Sequence, residues 1–128
     1  MFIRFVVKEL DRDSGRRQGL FQAAWTLGES GVIDSTDWNR LQSIRTWFDQ
    51  NLAKPTRFAV STKPHRKAQA ISWFKDSAHE HINKMREFQQ IVERNGLGVE
   101  MLRTERPGYI VYEDQFQVVA YPFSETPS

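Results

Sequence analysis

The segment FIRFVV at residues 2–7 constrains the fold more than any other stretch. Ile3, Phe5 and Val7 fall on one side of an extended chain, and Phe2, Arg4 and Val6 on the other. The β-branched and aromatic content favours a strand buried on both sides except at Arg4. Two helical stripes follow. From about Arg16 to Glu29, Leu20, Ala23, Ala24 and Leu27 recur at helical spacing, Phe21 and Trp25 widen the face, and Gly31 ends the helix. In the second, Asp34 or Ser35 can cap the amino end and Asp37 suits the positive end of the dipole, ahead of a stripe of Trp38, Leu41, Ile44, Phe48 and Leu52. Lys54-Pro55 stops it, because proline cannot continue a helix. A short connection makes the pair an antiparallel hairpin.

Between Thr56 and Lys75, RFAVS and AISWF read as short strands and TKPHRKAQ as an exposed loop. A third helix runs from about Ala78 to Glu93 and closes at Asn95-Gly96. Then VEMLRTE, a turn at RPG of type II, YIVY, a turn at ED and FQVVAYPF form an antiparallel meander. The order predicts an α+β, two-layer sandwich. Its mostly antiparallel sheet has about four strands, the first strand plus the carboxyl-terminal three-strand meander, with three helices on one face. Residues 1–123 form one domain, and 124–128 are expected to be a disordered tail.

The chain has no cysteine, which excludes disulfides, thiolate metal sites and a cysteine nucleophile and favours a reducing, cytoplasmic setting. No run approaches the roughly 20 apolar residues of a membrane-spanning helix, and the amino terminus lacks the features of a signal sequence. No membrane partner is expected. The net charge of +2 conceals a segregation. Residues 54–75 hold six Lys and Arg and no acid, whereas residues 76–128 hold five bases against nine acids. Overall pI is therefore a poor guide to partners.

The string DSAHEH invites a metal or catalytic reading. Ser77 and Glu80 have the spacing of a capping box, and Glu80 precedes Lys84 by four residues, an ordinary surface pair. On a helix whose buried stripe centres on Met85, with Ala78, Ile82, Phe88 and Val92 beside it, His79 and His81 diverge by roughly 160°. They cannot chelate one ion, and the spacing is not that of a zinc helix. No metal and no cofactor is expected. His81 falls inside the apolar stripe, where a neutral ring bonded to a carbonyl, to Glu113 or to Asp114 is the simplest account. Trp73 and Phe74 are expected to pack beneath the start of this helix.

Phosphate-loop, dinucleotide and hydrolase-elbow motifs are absent. Arg4, Ser72 and Glu113 would supply the residue types of an ADP-ribosyltransferase if they converged, but the flanking motifs of that family are missing. The segment KPTRFAVSTKPHRKAQ carries Lys54, Arg57, Lys63, His65, Arg66 and Lys67 with Phe58 among them, a composition suited to anions. Asp34, Asp37 and Asp49 on the second helix argue against duplex readout. Tyr109, Tyr112, Gln117 and Tyr121 on the meander suit a recognition surface if they face solvent.

These features predict a noncatalytic binding or regulatory module that engages an anionic partner, an acidic protein surface or a nucleic-acid backbone, through segment 54–67. Self-association and non-specific nucleic-acid contact are compatible with it. The alternative is a small enzyme with His81 as general acid/base and Arg4 and Glu113 nearby.

Overall fold

The computed structural model describes residues 1–11, 15–55 and 70–127. It is an α+β sandwich of three helices and a six-stranded antiparallel sheet. In chain order come β1 (Phe2–Leu10), β2 (Arg17–Gly19), α1 (Leu20–Glu29), α2 (Ser35–Asn51), β3 (Ile71–Lys75), α3 (His79–Arg94), β4 (Glu100–Thr104), β5 (Tyr109–Glu113) and β6 (Gln117–Tyr121).

β1 is the hub of the sheet. Along one edge, Phe2 to Val6 pair with Thr104 to Glu100 of β4. The other edge is shared: Phe2 and Ile3 pair with Lys75 and Phe74 of β3, whereas Val6 and Leu10 pair with Gly19 and Arg17 of β2. Between these two ladders, at Arg4 and Phe5, that edge has no strand partner among the described residues. β3 continues into β6, and β6 into β5. The carboxyl-terminal strands β4 to β6 are meander-like in order, with β5 and β6 as a hairpin and β4 hydrogen-bonded to β1.

Strand alternation places Ile3, Phe5 and Val7 against the helices, in a core with Leu20, Leu41, Phe48, Met85, Phe88 and Val92. Phe88 is fully buried and meets Phe21 edge-on at 5.2 Å. The opposite face carries its own cluster of Val6, Ile71, Trp73, Leu102 and Val118. Residues 3–7 of β1 are all buried, Arg4 included, which overturns the expectation that Arg4 faces water.

Two strands exceed the predicted four: Ile71–Lys75, which the reading of AISWF as a short strand anticipated outside the four-strand count, and Arg17–Gly19, which was not expected; RFAVS lies outside the described residues. Arg17–Gly19 are extended on β1 where the helix was expected to begin, so α1 starts at Leu20. Ile71–Lys75 inserts between β1 and β6.

The local signals on α2 hold: the Asp37 amide donates to Asp34 Oδ1 at 2.8 Å. At α3 the predicted capping box does not form. Its cap is Ala78, with no side-chain bond. β3 runs to Lys75, and the tight turn satisfies its amides with backbone oxygens instead, Ala78 N on Lys75 O and His79 N on Ser77 O. Lys84 pairs with Glu87 at 3.8 Å rather than with Glu80.

Gly96 takes φ +98 after the last turn of α3, as its left-handed cap requires. Gly108, in the β4–β5 connection, has φ +132, and a Cβ there would lie 1.9 Å from the Tyr121 carbonyl oxygen. Close approach to β6, more than turn type, demands glycine there.

The terminal segment is not loose as far as Pro127. Thr126 is buried, its hydroxyl donating to Arg106 O and accepting from the Phe123 amide, both at 3.0 Å. Among the described residues, no helix is long and apolar enough to cross a membrane.

Candidate functional site

The break in β1's pairing opens a cavity of about 480 Å³. Three strands meet there: Arg4 and Phe5 of β1, Gly19 at the end of β2, and Ile71 to Phe74 of β3. α1 and α2 wall it with Phe21 and Phe48, α3 with Met85.

Arg4 is inside this wall by default of its strand position, and it is 9% exposed. Nη2 donates to the carbonyl of Arg17. Nη1 is buried without a hydrogen-bond partner among the described residues, and the same holds for the Trp73 indole Nε1. Both residues line the cavity. A buried donor left unpaired costs about 1–3 kcal/mol, and more when charged. Burial, followed by the Arg17 charge, pushes the Arg4 guanidinium down to about 10, while Asp11 acts in the opposite direction. The group is still a cation at neutral pH, but an under-compensated one.

Among the described residues, the charged side chains lining the cavity are Arg4, Arg45 and Lys54 with Asp11 and Asp49. Lys54 and Pro55, where the described chain enters the basic segment, and Ala70, where it returns, are all on the lining. Of the predicted anion-binding residues, Lys54 is therefore placed on the rim and exposed. Arg57, Lys63, His65, Arg66 and Lys67 lie outside the described residues.

His81 is elsewhere. It is buried, and Nε2 lies 2.7 Å from the carbonyl oxygen of Asn51, so this nitrogen carries the proton and donates. Its ring packs among Phe116 at 4.3 Å, Trp47 at 5.0 Å, Phe48 at 6.0 Å and Phe74 at 6.3 Å. Phe74 thus packs beneath the start of α3 as expected, whereas Trp73 belongs to the opposite face of the sheet.

Glu113 pairs with Lys75 at 2.6 Å. His81 lines an adjoining depression with Asn51 and Phe116, which shares Asp49, Leu52 and Ala53 with the Arg4 cavity, and Glu113 is on the described lining of neither. Arg4 and Ser72 do share the cavity, without Glu113. His79 is exposed while His81 is buried, and among the described residues no three acidic or imidazole side chains gather in a way that could hold a metal ion.

The four meander residues do not make one exposed surface. Tyr109 is exposed, but Gln117 and Tyr121 are buried and Tyr112 is half-buried. Gln117 Nε2 donates to the Ala53 carbonyl at 2.7 Å and to Asp114 Oδ2 at 3.0 Å, and the Tyr112 hydroxyl donates to the same oxygen at 2.8 Å. Burial pushes the Asp114 carboxyl up, but hydrogen bonds from Gln117, the Phe116 amide and Tyr112 outweigh it and hold the group below its ordinary value. Tyr121 packs with Val111 and Val119.

Trp73, Arg45, Asp11 and Asp49 were not singled out in the sequence as site residues. The signal for the site was Arg4 itself, one cation in an otherwise apolar strand. Comparison with protein-family models, with curated proteins and with solved structures finds no match for this chain.

Proposed function

We propose that the protein is a noncatalytic binding module that holds an acidic protein surface through the basic segment 54–67. The observation that carries this reading is the placement of the segment's described ends. Lys54, Pro55 and Ala70 border a cavity whose buried Arg4 guanidinium lacks full compensation, so the basic segment springs from a region already short of negative charge. The end of α2 is tied at two successive points before the segment begins, Asn51 O by His81 and Ala53 O by Gln117. This supports a fixed point of departure for the cations.

An acidic protein is favoured over a nucleic-acid backbone because the exposed Asp49 lines the same cavity as Lys54. A uniform row of phosphates tracking the segment would meet that carboxylate, whereas a patterned protein surface can place a cation against it. The catalytic alternative has less support: His81 is engaged with a backbone carbonyl and Glu113 with Lys75, apart from Arg4.

The test is titration of the full chain with poly-L-glutamate and, separately, with single-stranded DNA of matched charge. Tighter binding of the polypeptide is expected. Equal or tighter binding of the DNA would reverse the choice of partner, and binding of neither would end the reading.

A further inference from the structure

We propose that Asn95 is a covalent modification site gated by the joint between α2 and α3: with the joint open its side-chain amide is lost to the backbone amide of Gly96, and with the joint closed it is kept. This goes beyond the partner of the basic segment and concerns other atoms and a different kind of event.

The chain has asparagine at 39, 51, 83 and 95, and only Asn95 is followed by glycine. Glycine has no side chain to shield its nitrogen or to restrict its approach. In the reaction the Gly96 nitrogen bonds Cγ of Asn95 and the Cγ–Nδ2 bond breaks, the Gly96 amide proton leaving with Nδ2 as ammonia. Water then opens the succinimide at one carbonyl to give aspartate, or at the other to give isoaspartate. No other reactant is needed.

The fold holds both reacting groups away from this path. Nδ2, the leaving group, donates to Asp37 Oδ2 at 3.0 Å and to Ile91 O at 2.8 Å. The Gly96 N–H, on the attacking nitrogen, donates to Glu93 O at 3.0 Å, and Asn95 has φ −95 and ψ 15, so that amide is directed back along α3. Asp37, held in place by Arg94, also sets a negative charge beside the pair, which opposes loss of the amide proton. Asn95 is only half-buried and Gly96 is exposed, so water reaches the site once these contacts part.

Conversion runs one way. Aspartate puts a carboxylate where a donor had stood 3.0 Å from Asp37 Oδ2, and isoaspartate lengthens the backbone at the cap of α3. Like charges repel at such a distance, so the joint that protects the asparagine does not re-form around its product.

The experiment incubates the full chain at mildly alkaline pH, below its melting range, and follows Asn95 by intact mass and by peptide mapping that separates isoaspartate. The samples are folded wild type, wild type in urea, and folded Asp37→Ala and His81→Gln. Conversion proceeds from the open form, so its rate tracks the fraction open. In urea Asn95 should convert first among the asparagines, and in the folded wild type at least about tenfold more slowly. Folded Asp37→Ala lacks the charged acceptor and should convert about tenfold or more faster than folded wild type. His81 fastens the opposite end of the same helix pair, so His81→Gln should leave the rate at Asn95 within about threefold of wild type. Should Asp37→Ala fail to fold, Asp37→Asn keeps the size of the side chain and removes its charge, and it should raise the rate severalfold.

Equal rates in folded and urea-treated wild type, no conversion of Asn95 in urea, an Asp37 variant as slow as wild type, or a His81→Gln rate raised as much as that of the Asp37 variant would each overturn the proposal.

Discussion

His81 reaches from the first turn of α3 to the carbonyl of Asn51, its Nε2 2.7 Å from that oxygen, and so fastens the last turn of α2 to the neighbouring helix. The carbonyls at a helix end have no partner within the helix. Here a side chain supplies one, from inside a cage of aromatic rings.

His81→Gln is therefore expected to destabilise the protein by about 1–3 kcal/mol, through a disturbed buried hydrogen bond and lost ring contacts. Thermal melts of both proteins measure it, and the nitrogen shifts of the ring in the wild type should report a proton on Nε2. An unchanged melting temperature would contradict the structural role.

Asp37 joins the amino end of α2 to the carboxyl end of α3 through Arg94 and Asn95. The Arg94 hydrogen bond, then that of Asn95, holds its carboxyl below the ordinary value. A folded pKa below the unfolded one adds stability that is fully present above the unfolded value, near about 4, and is lost as pH falls through the folded value. Between about pH 5 and about pH 3 the melting temperature of the wild type should fall more steeply than that of Asp37→Asn. Parallel acid limbs in the two proteins would show that the pair carries no pH dependence.

Gly108→Ala should cost about 3 kcal/mol or more, since the new Cβ would meet the Tyr121 carbonyl oxygen at 1.9 Å from a backbone at φ +132. Gly98→Ala is the control, with nothing within 4 Å of its Cβ position and no positive φ. Chemical denaturation of the two variants should separate them widely; similar midpoints would mean that β6 yields at that point.

What could be read from the sequence was what is local. The phase of α3 placed His81, Ile82, Met85, Phe88 and Val92 inside, and they are buried. Asp34 was legible as a cap because its bond spans three residues. Ser77 and Glu80 had the same kind of signal, yet the short link from β3 to α3 left no room for the exchange. The pairings of β1 were not legible, because the choice between β2 and β3 along one edge depends on residues far apart in the chain. Arg4 stood out in sequence only as an exception to its strand, and the cavity that gives it meaning is made by that change of partner. Gln117 and Tyr121 looked like surface because polar and amphipathic residues usually are. Gln117 is buried because the Ala53 carbonyl and Asp114 both bond its amide.

The most direct test of the central claim is the affinity of poly-L-glutamate for the wild type, for Lys63→Glu/Arg66→Glu/Lys67→Glu and for His81→Gln, measured by calorimetry at about 50 and about 200 mM salt. If the basic segment carries binding, the triple reversal weakens it by about tenfold or more and flattens its salt dependence. His81→Gln, held below its melting range, keeps both. Affinity and salt slope that survive the triple reversal would contradict the account.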